Sequence, residues 1–149
     1  MRAVRFHGAK DIRVEDVAEP SGILASDDVL IAPFVTGICG TDLHEYIAGP
    51  IVTPQEPHIY TGATNPQILG HEFSAKVLAV GDGVSHVAAG DRISIQPLLS
   101  PRSDYYGKRG LYHLSPSMGC VGLSWAWGGM AEKAVIKDYN AQPVPDGIT

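Results

Sequence analysis

The stretch TGICGTDLHEY (Thr36–Tyr46) places a cysteine, a threonine, an aspartate and a histidine within six positions. It also carries the clearest helical pattern in the chain. Leu43, Tyr46 and Ile47 fall at i, i+3 and i+4, Thr41 or Asp42 can cap the start, and Gly49-Pro50 stops it. Reactive side chains at the mouth of one short helix raise the question of what surrounds them.

Outward from this helix the chain reads as mostly β. Seventeen glycines and eleven prolines cut it into short runs rich in Val and Ile, which favours strands joined by turns over long helices. The expected strands are Met1–Phe6, Ile12–Val17, Val29–Val35, Phe73–Val80, Arg92–Gln96 and Met130–Ile136. Ile12, Val14 and Val17 alternate in part with charged neighbours. Val29-Leu30-Ile31 and Val77-Leu78-Ala79-Val80 read as buried on both faces. Such short strands with frequent turns suggest a barrel or a sandwich. Two irregular regions interrupt them, from Pro50 to Gly70 and from Pro97 to Gly129, and an irregular loop of the first kind is usually a lid, a binding loop or disorder. Val80-Gly81-Asp82-Gly83-Val84 matches only G-x-G of a dinucleotide fingerprint, with no helix after it, and reads as a turn. A nucleotide, if used, is therefore expected to bind elsewhere than on this chain.

Composition narrows the function classes. With 44% hydrophobic and 18% charged residues the chain is globular rather than disordered. A net charge of −5 with no basic run argues against nucleic acid and anionic membrane as partners. No apolar run approaches the ~18 residues of a spanning helix, and MRAVRFHGAKDIRVED lacks the apolar centre of a signal peptide. Two cysteines, Cys39 and Cys120, do not make a disulfide framework, so a reducing cytoplasm is the simplest setting.

The residues that can do chemistry each have a plainer reading beside the functional one. Cys39 lies where a helix start attracts negative charge, which suits a thiolate, yet a lone cysteine is commonly a small core residue. His71 and Glu72 follow Gly70 at the opening of a strand. Regular strand neighbours point to opposite faces, so both reach one ion only if the backbone is irregular there; otherwise Glu72 stands behind the ligands. Asp42 caps the helix or accepts a hydrogen bond from His71. Thr41 could be only an N-cap, and His44 a solvated helix residue. Thiolate, imidazole and carboxylate together suit Zn²⁺.

These residues resemble a known family. TGICGTDLHEY, ILGHEFSAKVLAVGDGVSHVAAGDRISIQP, GGMAEKAVI and VPDGIT are similar, in order and over nearly the whole chain, to the N-terminal domain of the medium-chain zinc-dependent dehydrogenases. GPIVTPQEPHIYTG and GLYHL bring the resemblance closest to the butanediol and sorbitol (polyol) branch. It implies a mainly β fold, a GroES-like, partly open β-barrel with a few short helices, covering residues 1–149. It further implies one catalytic Zn²⁺ on Cys39 and His71, with Glu72 a ligand or near-ligand. Thr41 would contact the substrate oxygen, His44 would relay the proton, and Asp42 would support the zinc histidine. The substrate would be a small secondary alcohol or vicinal diol, and the full-length protein a homo-oligomer. Tyr60 or His58 on the long loop would meet the substrate.

Two departures from the family pattern shape the expectation. The structural-zinc signature C-x2-C-x2-C-x7-C falls on Pro101, Asp104, Gly107 and Ser115, none of them cysteine. That lobe is expected to hold no metal and to be mobile or packed through Tyr105, Tyr106 and Leu111, with Cys120 an ordinary thiol. The chain also stops at Thr149, before the family's nucleotide-binding Rossmann domain, which would supply NAD or NADP binding; alone it is expected to be inactive. Two other readings remain: a zinc-free domain of the quinone reductase kind, and a non-enzymatic GroES-like binding or assembly module.

Overall fold

Short β-branched runs cut off by glycine and proline fold into ten strands among the described residues, 1–22 and 24–148 of a computed structural model. They are β1 (Arg2–Gly8), β2 (Asp11–Asp16), β3 (Asp28–Thr36), β4 (Gln67–Ile68), β5 (Phe73–Val80), β6 (Arg92–Ile95), β7 (Leu98–Leu99), β8 (Gly119–Cys120), β9 (Ala134–Lys137) and β10 (Ala141–Pro143). One α-helix, α1 (Gly40–Ala48), and single turns of 3₁₀ helix complete the set. The final Thr149 of the VPDGIT stretch lies outside the described residues.

Five strands make an antiparallel sheet in the order β10-β6-β5-β3-β9, curled as a half-barrel, and a second sheet runs β2-β1-β4. This is the mainly β, GroES-like architecture expected from the resemblance. All six expected strands are present. Met130–Ile136 starts later than expected, at Ala134, because Met130 O accepts from Val4 N and Ala131 bridges Ala3, so those residues serve β1 instead. Four further strands of two or three residues are too short to show any alternation.

The core forms on one face of the larger sheet. Val29 and Ile31 of β3, Ala75 and Val77 of β5, Ile93 of β6 and Ile136 of β9 are all buried in one cluster. Each of the Val and Ile side chains stabilises the fold by roughly 1.5–3 kcal/mol through removal from water. The expectation that Val29–Ile31 and Val77–Val80 are buried on both faces is corrected: Leu78 is exposed and Leu30 only half-buried. The strands obey period-2 alternation with one wet face. A smaller cluster of Phe6, Leu69 and Leu123 joins β1 to the segment before β5.

Helix α1 also differs from its sequence reading. Its N-cap is Cys39, not Thr41 or Asp42, and the Asp42 carboxylate accepts from Cys39 N at 2.9 Å. The apolar stripe Leu43, Tyr46 and Ile47 faces outward, about half exposed, whereas Asp42 and Glu45 are buried. Glu45 is fully buried and holds the loop that follows. Its carboxylate accepts from Ile51 N at 3.1 Å, Val52 N at 2.5 Å and the Thr53 hydroxyl at 2.7 Å, with Thr53 N at 3.4 Å. Backbone N–H groups, not a cation, compensate this charge. The irregular segment after Pro50 is therefore anchored, and the pairs Asn65 N to Pro54 O and His58 N to Ala63 O close it further.

The lobe after β7 is tied by a carboxylate. Asp104 accepts from the Ser115 hydroxyl at 2.6 Å and from Gly107 N at 2.5 Å, which joins three of the four positions of the cysteine signature. Arg109 lies over the Tyr105 ring at 3.8 Å, and Tyr105 meets Tyr106 edge-on at 5.2 Å. The expected Tyr105–Tyr106 packing is present, Leu111 is partly exposed, and the hydrogen bonds to Asp104 add to it. The Ser115 hydroxyl, then the Gly107 amide, hold the Asp104 carboxyl below its usual range.

Glu45→Ala strands three backbone N–H groups and should lower the unfolding free energy in urea by about 3 kcal/mol or more. Glu45→Gln, which keeps an acceptor oxygen, should cost clearly less; equal losses would contradict the anchoring role. For the lobe, trypsin at neutral pH should cut an Asp104→Ala variant at Lys108 and Arg109 at least tenfold faster than the parent. Because the folded pKa of Asp104 is depressed, its contribution is complete above the unfolded carboxyl value near 4 and is lost as pH falls through the folded value. Hydrogen exchange at Gly107 N should accordingly rise on acidification below about pH 4 in the parent and be pH-insensitive, beyond intrinsic exchange, in Asp104→Ala.

Candidate metal centre

The turn at Gly70 builds the centre. Gly70 has φ +99°, the left-handed region where an L side chain is strained. A Cβ there would also stand 2.7 Å from Met130 N and 2.8 Å from Thr36 Cγ2. The backbone is locked in place from the other side, since Gly129 N donates to Gly70 O at 2.8 Å and the Thr36 hydroxyl donates to Gly129 O at 2.7 Å. Gly122 permits the same crossing, because a Cβ on it would fall 2.0 Å from Gly70 O.

Strand alternation therefore starts only at Phe73, and His71 and Glu72 lie in irregular chain. Gly37 N donates to Glu72 O at 2.7 Å, which pins this turn to the end of β3 and the approach to α1. The outcome is a cluster. One ligand atom each from Cys39, His71 and Glu72 lies within 4.8 Å of the others, with His71 buried, Cys39 half-buried and Glu72 exposed.

Asp42 links the helix to this cluster. Its second carboxylate oxygen lies 3.6 Å from His71 Nδ1, and both atoms are buried with no hydrogen-bond partner. An imidazole so placed can point Nδ1–H at the carboxylate and leave its other nitrogen free. Thr41 Oγ1 lies 3.8 Å from Cys39 Sγ. His44 is exposed three residues further along α1, a spacing that puts it on the same helix face as Thr41. The six candidate residues thus converge on α1 and the Gly70 turn.

Other side chains take different places. His58 is a brace: its Nε2 pairs with Met118 O at 3.2 Å, and its Nδ1 accepts from Tyr60 N and Thr61 N, each at 3.3 Å. The Thr61 hydroxyl donates to Ser124 O at 2.6 Å, so the 50–65 loop is docked on the segment after β8. Tyr60 is partly exposed. Sequence reasoning missed Cys120, which is electrostatically coupled to the centre. Its thiol is pushed up to about 12, first by burial and then by the negative charges of Asp42 and Cys39. No local pattern around Gly119-Cys120 signals that proximity. The roles of Glu45 and Gly122 were equally silent, because both depend on contacts across the chain.

The chain is similar to known proteins. Residues 25–146 match the family model described as the alcohol dehydrogenase GroES-like domain. The (R,R)-butanediol dehydrogenase of Neisseria gonorrhoeae is 40% identical over 99% of this chain and 42% of its own length. Sorbitol dehydrogenase of Gallus gallus is 36% identical over 78% of the chain and 30% of its own length. The crystal structure of 2R,3R-butanediol dehydrogenase from Bacillus subtilis superposes with a TM-score of 0.89 at 38% identity, over 99% of this chain and 41% of that one. The chain thus spans about two fifths of the butanediol dehydrogenases it resembles. Among the described residues no helix is long and apolar enough to cross a membrane.

A thiol held near 12 is ionised in roughly one molecule in ten thousand at pH 8. A disulfide reagent added to the native, metal-free chain at that pH should react promptly with one thiol, Cys39, and with the second only after denaturation. Prompt reaction of both would show that Cys120 is not shielded as described.

Proposed function

Because the chain belongs to the alcohol dehydrogenase GroES-like domain family, we propose that residues 1–149 form the catalytic domain of a zinc-dependent alcohol or polyol dehydrogenase. The full-length protein would oxidise a secondary alcohol or vicinal diol, or run the reverse reduction, with NAD or NADP. One observation carries this reading: the Cys39, His71 and Glu72 donor atoms within 4.8 Å of one another. Sulfur, imidazole and carboxylate suit Zn²⁺, and three protein ligands leave the open position that a catalytic zinc requires. The buried, unpaired His71 Nδ1 and Asp42 Oδ1 fit that group too, since a carboxylate behind a ligating histidine sets its tautomer and orientation.

When bound, zinc supplies Lewis acidity toward an alcohol oxygen. Thr41 Oγ1 would accept the hydrogen bond of the substrate hydroxyl, a role supported by its 3.8 Å distance from Cys39 Sγ. His44, solvent-exposed on the same helix face, passes the proton onward to water. The anchored 50–65 loop would cover the substrate. A nicotinamide cofactor would be held outside residues 1–149. The exposed apolar side chains Ile38, Leu43, Tyr46, Ile47 and Ile51 form the face that the cofactor-binding part covers. Similarity to butanediol dehydrogenases favours a small diol over a longer polyol. A cytoplasmic homo-oligomer completes the reading.

The chain should bind about one Zn²⁺, and Cys39→Ser or His71→Ala should abolish that binding. Asp42→Asn should weaken it by about 10–100-fold. In the full-length protein, Cys39→Ser should remove alcohol-dependent reduction of NAD or NADP. Zinc retained by Cys39→Ser, or turnover surviving that change, would sink the proposal.

A further inference from the structure

A cavity of about 580 Å³ lies between the Asp104-tied lobe and the ends of β6 and β10, and it shares no lining residue with the metal centre. Its volume falls in the range of sites that take a small organic molecule. Ser100, Tyr139, Arg102, Gln96, Gln142 and Tyr112 are among its walls.

Two buried polar atoms in that wall have no hydrogen-bond partner: the Ser100 hydroxyl, on a residue that is 3% exposed, and the Tyr139 hydroxyl. The Ser100 backbone amide and the Tyr60 hydroxyl are the near polar neighbours of Tyr139, neither in hydrogen-bonding geometry. An unmet buried hydroxyl is costly, and a ligand that accepts its hydrogen bond removes that cost.

The remaining polar groups are donors as well. Gln96 Oε1 already accepts from Leu98 N at 2.6 Å, which turns its NH₂ group to the free side. Arg102 stacks on the Tyr139 ring at 4.3 Å and presents a largely exposed guanidinium. Its one carboxylate neighbour, Asp138, stands at 3.5 Å and is already engaged with Tyr139 N at 2.7 Å. Burial raises the Tyr139 pKa, so its hydroxyl stays a donor at neutral pH. Gln142 Nε2 is taken up by Tyr139 O, so Gln142 offers its Oε1 as an acceptor, and the Ser100, Tyr112 and Tyr139 hydroxyls can each accept as well as donate. The lobe from Pro101 to Ser115 carries Arg102, Lys108 and Arg109 against Asp104, with Asp138 beside Arg102 as a second carboxylate, which leaves one positive charge in excess in a protein whose net charge is −5.

We propose that this cavity is a second ligand site, separate from the metal centre, for a small organic anion whose carboxylate or phosphate group is held by Arg102, Ser100, Tyr139 and the Gln96 amide. The Tyr112 and Tyr139 rings take its carbon body.

Calorimetric titration of the metal-free chain with benzoate, phenyl phosphate and benzyl alcohol tests this. At least one of the two anions should bind at least tenfold more tightly than benzyl alcohol, and the tighter anion identifies the head group. Arg102→Gln, a surface change whose fold circular dichroism can verify, should weaken that binding at least tenfold. Ser100→Ala and Tyr139→Phe should each weaken it several-fold, and Cys39→Ser should leave it unchanged. No preference for either anion over the alcohol, equal binding by Arg102→Gln, or loss in Cys39→Ser would each overturn the proposal. The zinc reading does not enter this outcome, since the titration uses metal-free protein.

Discussion

The backbone crossing at Gly70 is the constraint on which the site depends. Three stretches meet there at main-chain distance: the Gly70 turn, Gly129 with its bond to Gly70 O, and Gly122 beneath them. A Cβ at Gly70 or Gly122 would collide with backbone, and both residues adopt positive φ. The crossing delays β5 to Phe73 and releases His71 and Glu72 from the two-residue alternation that would send them to opposite faces. The same turn is tied to Thr36 and Gly37, which lead directly into Cys39. Cys39 and the pair His71 and Glu72, far apart in sequence, are therefore held together by main-chain geometry, with little left to side-chain freedom.

Helix α1 follows an unusual division of labour. Its carboxylates, Asp42 and Glu45, are inside, and its Leu43, Tyr46 and Ile47 are outside. The buried charges are met by backbone N–H groups at Cys39 and at the Ile51–Thr53 turn. Asp42 fixes the start of the helix and faces His71, while Glu45 fixes the chain leaving it. A short helix thereby gains definite ends and a definite rotation, which is what side chains at its first turn need in order to meet a partner on another strand. Its apolar stripe remains for something else to cover.

Much of the fold was legible in local patterns. Val29–Val35, Phe73–Val80 and Arg92–Gln96 carry enough β-branched residues to be read directly, and Gly49-Pro50 marks the end of α1. What escaped depends on long-range pairing. β4, β7, β8 and β10 are too short for periodicity, and Met130 is drawn away from β9 by Val4. The helix stripe showed that a helix exists but not which face it buries, because buried carboxylates satisfied by backbone amides leave no hydrophobic signature. For the site, residue types and order suggested Cys39, His71 and Glu72, and Gly70 hinted at the irregular turn that the structure contains. Cys120 near the centre, the Asp104 node in the lobe and the donor-lined cavity beside it arise only from contacts between distant segments.

The central claim is that the Gly70 crossing brings one sulfur, one imidazole and one carboxylate around a single ion. X-ray absorption at the zinc edge of the zinc-loaded chain tests it most directly. The account predicts one sulfur scatterer at about 2.3 Å with nitrogen and oxygen scatterers at about 2.0–2.2 Å. A first shell without sulfur, or one with two sulfurs that recruits Cys120 alongside Cys39, would contradict it.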